Sequence, residues 1–232
     1  MGELRPTVEK LTARIGRPPG LAVILVGDNS ASEIYVRNKE RAAEKLGIQT
    51  FDYRLPEDTT KEHLLGLVTQ LNSDPSVNGI LIQLPLPKHI EEEQILHSVL
   101  PEKDVDVFHP DNFGNLALSV GTLRPCTPAG VIELLKRSEI EIDGKYVVVI
   151  GASKIVGLPL SLMFFYEGAT VTICHIRTHD ISDLTRQADI VVAAIGSPKF
   201  LKVDMVKDGA VILDVGINRI EGKLVGDCDF EG

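Results

Sequence analysis

The chain has 232 residues, and its 44% hydrophobic and 25% charged content is ordinary for a globular protein. A net charge of −9 argues against nucleic acid or an anionic membrane surface as a partner. No apolar run approaches a membrane span, and the first residues lack the apolar core of a signal peptide. Three widely spaced cysteines have no metal-ligand spacing and fit a reducing compartment. We therefore expect a cytoplasmic protein without a metal site.

Short apolar runs alternate with helical patterns along the first half of the chain. Strands are predicted over 21–26, 49–55 and 79–84, and helices over 30–46, 60–73 and 91–99. This order predicts a parallel sheet with helices on both faces. The less regular stretch 101–121, with scattered Pro, Asp, Asn and Gly, is predicted to be a boundary, so the first domain should span residues 1–122.

The second half repeats the alternation and should form a second domain over 123–232. A helix with Thr127 as N-cap and Pro128 at its first position is predicted to end near Lys136 and to link the halves. Strands are predicted over 146–150, 170–174, 190–195 and 210–215, with helical segments over 157–167, 181–187 and 203–207. The fold class is therefore α/β with two domains, an N-terminal αβα parallel-sheet domain and a C-terminal Rossmann-like dinucleotide-binding domain.

Four polar residues of the first half are candidates for proton transfer. On a helix, the spacing of Tyr35 and Lys39 puts phenol and ammonium on one face, although short-chain dehydrogenases use the same spacing. Burial and neighbouring groups can bring the pKa of such a lysine toward neutrality. Gln83 ends the third strand, and Asp106 lies with Asp104 in the later segment KDVD (103–106), where helix capping or turn formation is the alternative for both acids. In a parallel sheet these groups meet at one edge, where they can polarise a substrate and move a proton. For each one alone, a solvated loop residue is the alternative.

The segment VVVIGASKIVGLP (147–159) predicts a phosphate-binding turn. An apolar strand runs into Gly151, and Gly157 begins a helix whose N-terminus can receive a phosphate. The spacing differs from Gly-x-Gly-x-x-Gly, so a tight turn without ligand is the alternative. The next strand is followed by no acid until Asp180, whereas Arg177 could meet a 2′-phosphate; this favours NADP, with a solvated arginine as the alternative. Gly196, like Gly216, follows a later strand where backbone can reach a cofactor.

The motifs together resemble the bifunctional methylenetetrahydrofolate dehydrogenase/methenyltetrahydrofolate cyclohydrolase family. The matching segments, in the family's order, are VGDNSASEIYVRNK (26–39), GILIQLPLP (79–87), KDVDVFHP (103–110), PCTPAG (125–130), VVVIGASKIVGLP (147–159), DIVVAAIG (189–196) and GAVILDVGINR (209–219). They extend over nearly the whole chain. Because the glycine-rich loop follows the Tyr-x-x-x-Lys spacing here, the order excludes a short-chain dehydrogenase.

The resemblance implies an oxidation of 5,10-methylenetetrahydrofolate with NADP and a hydrolysis of the methenyl product to 10-formyltetrahydrofolate. Lys39 would be the catalytic lysine of the hydrolysis, Gln83 would hydrogen-bond it, Tyr35 would stack on the folate, and Asp106 would anchor the pterin. The implied partners are tetrahydrofolate derivatives and a second copy of the chain, paired through the second domain. The predicted cofactor-binding residues are Gly151, Ala152, Ser153, Ile176, Arg177 and Ile217.

Several departures from the family pattern leave alternatives open. Ala152 and Ile176 stand where the family has Arg and Ser in its 2′-phosphate pocket, so either Arg177 compensates or NAD is accepted. Val107 replaces a family glycine next to Asp106. The family's N-terminal strand and its Pro-Gly-Gly-Val-Gly-Pro segment have no counterpart in these residues. A different two-domain dehydrogenase, such as one acting on shikimate, and a non-catalytic folate- or nucleotide-binding relative are the alternatives.

Overall fold

The computed structural model describes residues 3–28, 30–220 and 223–230, and the side chains of residues 30–34 are outside this description. Residue 29 and those side chains belong to the predicted folate motif over 26–39, so that part of the motif lies outside the described residues. Contacts divide the chain into two compact units, residues 1–113 and 114–232. The predicted boundary after residue 122 lies slightly further along the chain and stays a prediction.

The first unit is a three-stranded parallel sheet with flanking helices. Its strands are β1 (Gly20–Val26), β2 (Gln49–Leu55) and β3 (Gly79–Ile82), in the order β2-β1-β3. Its helices are α1 (Arg5–Ile15), α2 (Ser30–Leu46), α3 (Lys61–Ser73) and α4 (Glu92–Leu96), and a 3₁₀ turn covers Pro101–Lys103. Helix α5 (Pro110–Ala117) crosses the boundary between the units.

Alternate residues of β1 pack into two separate apolar cores. Ala22 and Ile24 face the cluster that contains Leu64 and Leu71 of α3, whereas Val23 faces the cluster with Val36 of α2. Helices therefore cover both faces, which is why β1 is apolar at every position rather than alternating. Because the strands are parallel, the residues that follow β1 and β3 lie at one edge of the sheet.

The second unit has a four-stranded parallel sheet in the order β5-β4-β6-β7. The strands are β4 (Tyr146–Ile150), β5 (Thr170–Cys174), β6 (Ile190–Ala193) and β7 (Val211–Asp214). The helices are α6 (Cys126–Arg137), α7 (Gly157–Tyr166) and α8 (Ile181–Thr185), with a 3₁₀ turn at Val203–Met205. A short antiparallel hairpin of β8 (Asn218–Ile220) and β9 (Lys223–Val225) follows.

The chain order within this sheet creates a switch point beside β4. From β4 the chain goes to β5 on one side and then crosses to β6 on the other side. Val147 and Val149 pack against α6 and α7, while Val148 and Ile150 pack into the cluster with Leu184 of α8. Open α/β sheets bind ligands outside the carboxyl ends of strands at such a point.

The two-domain α/β prediction is confirmed, with local corrections. The predicted strand 79–84 ends at Ile82 because prolines follow at residues 85 and 87. Helix α6 begins at Cys126 after Pro125 with no side-chain cap, so the prediction of Thr127 as N-cap is wrong. Pro128 still lies in the first turn, where its missing N–H costs nothing. Helix α5, within the stretch predicted to be irregular, was missed.

Some further elements also differ from the prediction. Helix α1 and the β8–β9 hairpin were not predicted, although Val8, Leu11 and Ile15 recur at helical spacing in α1. The predicted helix 91–99 is shorter, Glu92–Leu96. Within the described residues, no helix has both the length and the apolar character that a membrane crossing requires.

Candidate functional site

Lys39 and Gln83 form the centre of the candidate site in the first unit. Val36 is buried against the sheet and fixes the rotation of α2, which leaves Lys39 half-buried and the Tyr35 ring 39% exposed. Lys39 Nζ donates to Gln83 Oε1 at 3.3 Å. Gln83 is held by its backbone N–H, which donates to Ile24 O at 2.9 Å, and by its Nε2, which donates to Leu84 O at 2.9 Å. The amide oxygen is therefore the end that faces the lysine.

Asp106 lies in the turn after the 3₁₀ segment Pro101–Lys103, where Asp104 forms a bridge with Ile80 of β3. The Asp104 carboxylate is buried and accepts from Phe108 N at 3.2 Å, His109 N at 2.9 Å and Asn112 Nδ2 at 2.9 Å. Asp104 therefore forms a turn through hydrogen bonds from nearby backbone N–H groups. Asn112 was missed by sequence reasoning, and an Asn eight residues after an Asp gives no distinctive signal.

The second unit has a cavity of about 820 Å³ at the carboxyl ends of β4 and β6. Of the predicted cofactor residues, Gly151, Ala152, Ser153 and Ile176 line it. Arg177 lies on the adjoining turn, and Ile217 is exposed after β7 and is not among the lining residues.

Two glycines shape the turn between β4 and α7. A Cβ on Gly151, whose φ is +121°, would lie 2.2 Å from Ala194 O. A Cβ on Gly157 would lie 1.8 Å from Gly151 O. Only glycine allows this close approach of helix to loop. The Ser153 hydroxyl accepts from Val156 N at 3.1 Å and so already satisfies one N–H at the start of α7.

A compact turn follows β5. His175 N donates to Thr178 Oγ1 at 2.9 Å, and Arg177 N donates to His175 Nδ1 at 3.1 Å. Ile176 is fully exposed, and Arg177 is exposed beside it. His175, Ile176 and Thr178 line the cavity, so the turn forms its outer rim. No carboxylate belongs to the cavity lining within the described residues.

Sequence reasoning also missed a pair of acids, of which Asp227 is buried and Asp214 half-buried. Asp214 ends β7, and Asp227 is completely buried although it carries a carboxyl group. Burial and the carboxylates of Asp214 and Asp227 raise the pKa of the Cys228 thiol to about 12, which keeps it protonated. In the sequence Asp227 differs little from Asp229, which also flanks Cys228, so no local pattern marks Asp227 as the buried acid.

These features define a class, a two-domain α/β protein with a dinucleotide-type second unit and a lysine–glutamine pair in its first unit. The chain belongs to the tetrahydrofolate dehydrogenase/cyclohydrolase family. The model of that family's catalytic domain matches residues 1–106, and the model of its NAD(P)-binding domain matches residues 125–232. The resemblance inferred from the motifs is thereby confirmed.

Individual relatives agree with this membership. The chain is 52% identical to the bifunctional protein FolD of Aquifex aeolicus over 230 residues, covering 99% of this chain and 79% of the relative. The FolD structure from Campylobacter jejuni has a TM-score of 0.94 and 51% identity, with 99% of this chain and 82% of that chain covered. The Trypanosoma brucei structure, in complex with NADP and an inhibitor, has a TM-score of 0.93 and 40% identity, with 99% and 82% coverage.

Proposed function

We propose that the chain oxidises 5,10-methylenetetrahydrofolate to 5,10-methenyltetrahydrofolate with NADP and hydrolyses that product to 10-formyltetrahydrofolate. Family membership carries the reaction class, because both domain models match and bifunctional relatives are similar over nearly the whole chain. The single contact that carries the assignment of the hydrolytic site is the 3.3 Å hydrogen bond from Lys39 to Gln83.

Lys39 is the group to which we assign proton transfer in the hydrolysis. Water oxygen bonds to the methenyl carbon, and the bond from that carbon to N5 breaks. Of the two water protons, one ends on N5 and the other is released, so the step needs a group that both takes and returns a proton. Gln83 supports this role because its oxygen is held toward Lys39 and accepts a hydrogen bond from Nζ. This contact fixes the orientation of the Lys39 side chain.

Tyr35 and Asp106 are assigned to binding of the folate. The Tyr35 ring lies one helical turn before Lys39 and is 39% exposed, which suits stacking against an aromatic ring of the substrate. The Asp106 carboxylate, when ionised, accepts hydrogen bonds only, which suits the N–H groups of a pterin. The alternative for both residues is a solvated side chain that does not bind the substrate. Variants of Tyr35 and Asp106 therefore need the same assay of methenyltetrahydrofolate hydrolysis as variants of Lys39.

Replacement of Lys39 tests the assignment directly. In Lys39→Met, methenyltetrahydrofolate hydrolysis should fall by about 10²- to 10⁴-fold, the usual contribution of general acid–base catalysis, while part of the methylenetetrahydrofolate oxidation survives. Lys45→Met is the matched control, because it makes the same change on the exposed side of the same helix. Unchanged hydrolysis in Lys39→Met would remove the lysine from the mechanism.

The second unit fits NADP. The cavity of about 820 Å³ adjoins the turn where Gly151 and Gly157 bring backbone close together, and helix α7 starts there. When bound, NADP supplies the acceptor for the hydride that leaves the methylene carbon. Ala152, Ser153 and Ile176 are assigned to the walls of this site, and Ile217 to its far side.

Arg177 is assigned to the 2′-phosphate in place of the family arginine that Ala152 replaces. Arg177 is exposed on the turn that forms the cavity rim, and a guanidinium pairs with phosphate through two parallel hydrogen bonds. Arg177→Ala should raise the KM for NADP by about tenfold, since a hydrogen bond to a charged group is lost, and leave the KM for NAD unchanged. Arg186→Ala, an exposed arginine paired with Asp183, is the control. If Arg177→Ala changed the KM for NADP and the KM for NAD equally, Arg177 would not bind the 2′-phosphate.

We also propose a cytoplasmic homodimer formed through the second unit, with tetrahydrofolate derivatives as ligands and no nucleic acid or membrane partner. Large apolar side chains are exposed on that unit, among them Leu134, Phe165 and Leu224. The net charge of −9 disfavours nucleic acid. Sedimentation velocity at micromolar concentration should show a dimer; a single monomeric species would contradict the proposal.

Two alternatives are separated by one assay. A shikimate-type dehydrogenase has no support from a family-level match, whereas both halves match the folate family. A non-catalytic relative would bind folate or nucleotide without turnover. Oxidation of methylenetetrahydrofolate, assayed separately with NADP and NAD, separates the proposed activity from both alternatives, because no turnover with either cofactor would overturn the dehydrogenase activity.

A further inference from the structure

One completely buried carboxylate, that of Asp227, joins separate segments of the second unit. Its Oδ2 accepts from Ile195 N at 2.8 Å and from Gly196 N at 2.9 Å. Its Oδ1 accepts from Asn218 Nδ2 at 2.8 Å. Ile195 and Gly196 follow β6, whereas Asn218 begins β8, so a single side chain links the ends of two neighbouring regions.

The backbone around Asp227 is adapted to the carboxylate. Gly196 has a φ of +65°, and this conformation lets two successive N–H groups converge on one anionic oxygen. A Cβ on Gly216 would lie 2.0 Å from the Asp227 Cγ, so only glycine admits the carboxylate at that point. The conformations of the turns at Gly196 and Gly216 therefore fit the Asp227 carboxylate.

Hydrogen bonds also hold the backbone of Asp227 in place. Asp227 N donates to Asp214 Oδ1 at 2.9 Å, and Cys228 N donates to Asp214 Oδ2 at 3.0 Å. Leu201 N donates to Asp227 O at 3.0 Å. The residue is thus tied to the end of β7 before its own side chain reaches the turn after β6.

The peptides that Asp227 holds form a wall of the cofactor cavity. Ala194, Ile195 and Ser197 line it. Because the peptide is planar and trans, an Ile195 N–H directed at Asp227 turns the Ala194 carbonyl the opposite way. That carbonyl lies against Gly151, where a Cβ would come within 2.2 Å of its oxygen. Asp227 therefore acts on the phosphate-binding turn through one peptide group.

We propose that Asp227 is a positioning residue for the dinucleotide site. It holds the turn over residues 194–197 and the Asn218 side chain in the geometry that accepts the cofactor, without touching the cofactor itself. The inference rests on the proposed NADP-dependent function, because it concerns the same cavity.

Asp227→Ala is the primary test. The amides of Ile195 and Gly196 should lose hydrogen-exchange protection in the cofactor-free protein, and the Kd for NADP measured by calorimetry should rise by about tenfold, as expected when buried N–H groups lose their partner. The KM for NADP should rise more than kcat falls. Methenyltetrahydrofolate hydrolysis should stay unchanged, which shows that the chain is folded.

Asp229→Ala is the matched control, because it removes a carboxyl two residues away that pairs with Lys199 at 3.5 Å. It should leave the exchange at residues 195 and 196 and the NADP affinity unchanged. If Asp227→Ala lowers hydrolysis as much as NADP binding, or if it leaves NADP affinity unchanged, the positioning role is overturned.

A paired exchange provides the rescue. In Asp227→Asn the amide oxygen can accept from residues 195 and 196, but its NH₂ then faces the NH₂ of Asn218. Asn218→Asp alone brings two carboxylates together. The double variant supplies a matched donor and acceptor and should recover most of the NADP affinity; failure to recover contradicts the proposal. If the unmodified protein binds neither NADP nor NAD, the proposed function itself fails, and this outcome differs from a failure confined to the variants.

Discussion

Val107 adopts a backbone conformation that its side chain opposes. Its φ is +63°, in the left-handed region, although it is β-branched and only 2% exposed. A valine in place of the family glycine therefore strains the backbone next to Asp106. A left-handed residue other than glycine costs about 1–2 kcal/mol, and burial of the valine side chain offsets this cost.

The strain at Val107 can be isolated by comparing two truncations. Val107→Ala and Val107→Gly both remove the buried side chain, so their difference reports the backbone alone. We expect the glycine variant to be more stable than the alanine variant by about 1 kcal/mol, because glycine has no Cβ to clash at positive φ. The free energy of unfolding in urea is the measurement.

Val77 is the matched control. It is also a buried valine outside helices and strands, and it is not among the residues with positive φ. At Val77 the order should reverse, with the glycine variant the less stable, because glycine loses more conformational freedom on folding. The same order at both sites would mean that Val107 carries no strain.

At this scale the sequence predicted some contacts and missed others for a physical reason. Lys39 and Gln83 were predicted to lie at the same edge of the sheet, because each comes after the carboxyl end of a parallel strand. The hydrogen bond between them agrees with this prediction. Asp227 was missed because its meaning depends on a cluster of backbone N–H groups from residues distant in sequence. Charge patterns in a sequence do not reveal which acid becomes buried.

Two helical glycines have opposite roles, and the difference lies in how elements pack. A Cβ on Gly66, in the middle of α3, has no atom within 4 Å. A Cβ on Gly157, at the start of α7, would collide with Gly151 O at 1.8 Å. In isolation, each substitution by alanine would favour the helix.

We expect Gly66→Ala to raise the free energy of unfolding by about 0.5–1 kcal/mol, since it only restricts the unfolded chain and improves helix propensity. Gly157→Ala should lower the unfolding temperature and abolish measurable NADP binding, because backbone has to move to admit the methyl group. Thermal unfolding and calorimetry are the measurements. Retained NADP affinity in Gly157→Ala would contradict the assigned turn between β4 and α7.

Element boundaries were predicted best where two physical signals agree. The ranges of α2 and β2 match because apolar periodicity and a following glycine or proline coincide. Helix α6 starts earlier than predicted because a proline in the first turn is compatible with several starting positions. Helix α5 was missed because its Gly, Asn and Pro residues have low helix propensity, and tertiary contacts such as the Asp104–Asn112 hydrogen bond compensate.

On the scale of the whole molecule, acid should weaken the second unit through Asp189. Its carboxylate accepts from Lys207 Nζ at 2.5 Å and from Tyr146 N at 2.9 Å, and so joins the start of β4 to the segments that precede β6 and β7. The hydrogen bond from Lys207, followed by that from Tyr146 N, lowers the pKa of Asp189 below its ordinary value of 3.8. A lowered pKa contributes stability above the unfolded value, and this contribution is lost as the pH falls through the folded value.

Asp189→Asn should therefore lower the unfolding temperature at pH 7, and the difference from the unmodified protein should shrink as the pH falls below 3.8. Thermal unfolding followed by circular dichroism across pH 2 to 7 is the measurement, at roughly one-unit steps. Asp208→Asn, an exposed neighbour, is the control and should show a small difference at every pH. A difference for Asp189→Asn that does not change with pH would contradict the role of its ionised form.

The sequence by itself determined the alternation of strands and helices, the two parallel sheets and the family, because apolar periodicity and glycine spacing are local properties of the chain. It also predicted that Lys39 and Gln83 lie close together. Only the tertiary structure decided that Gln83 turns its oxygen toward Lys39, that Val107 is held at positive φ, and that Asp227 is buried beneath the cofactor cavity. These features depend on close packing and on hydrogen bonds between segments far apart in sequence, which no local pattern encodes.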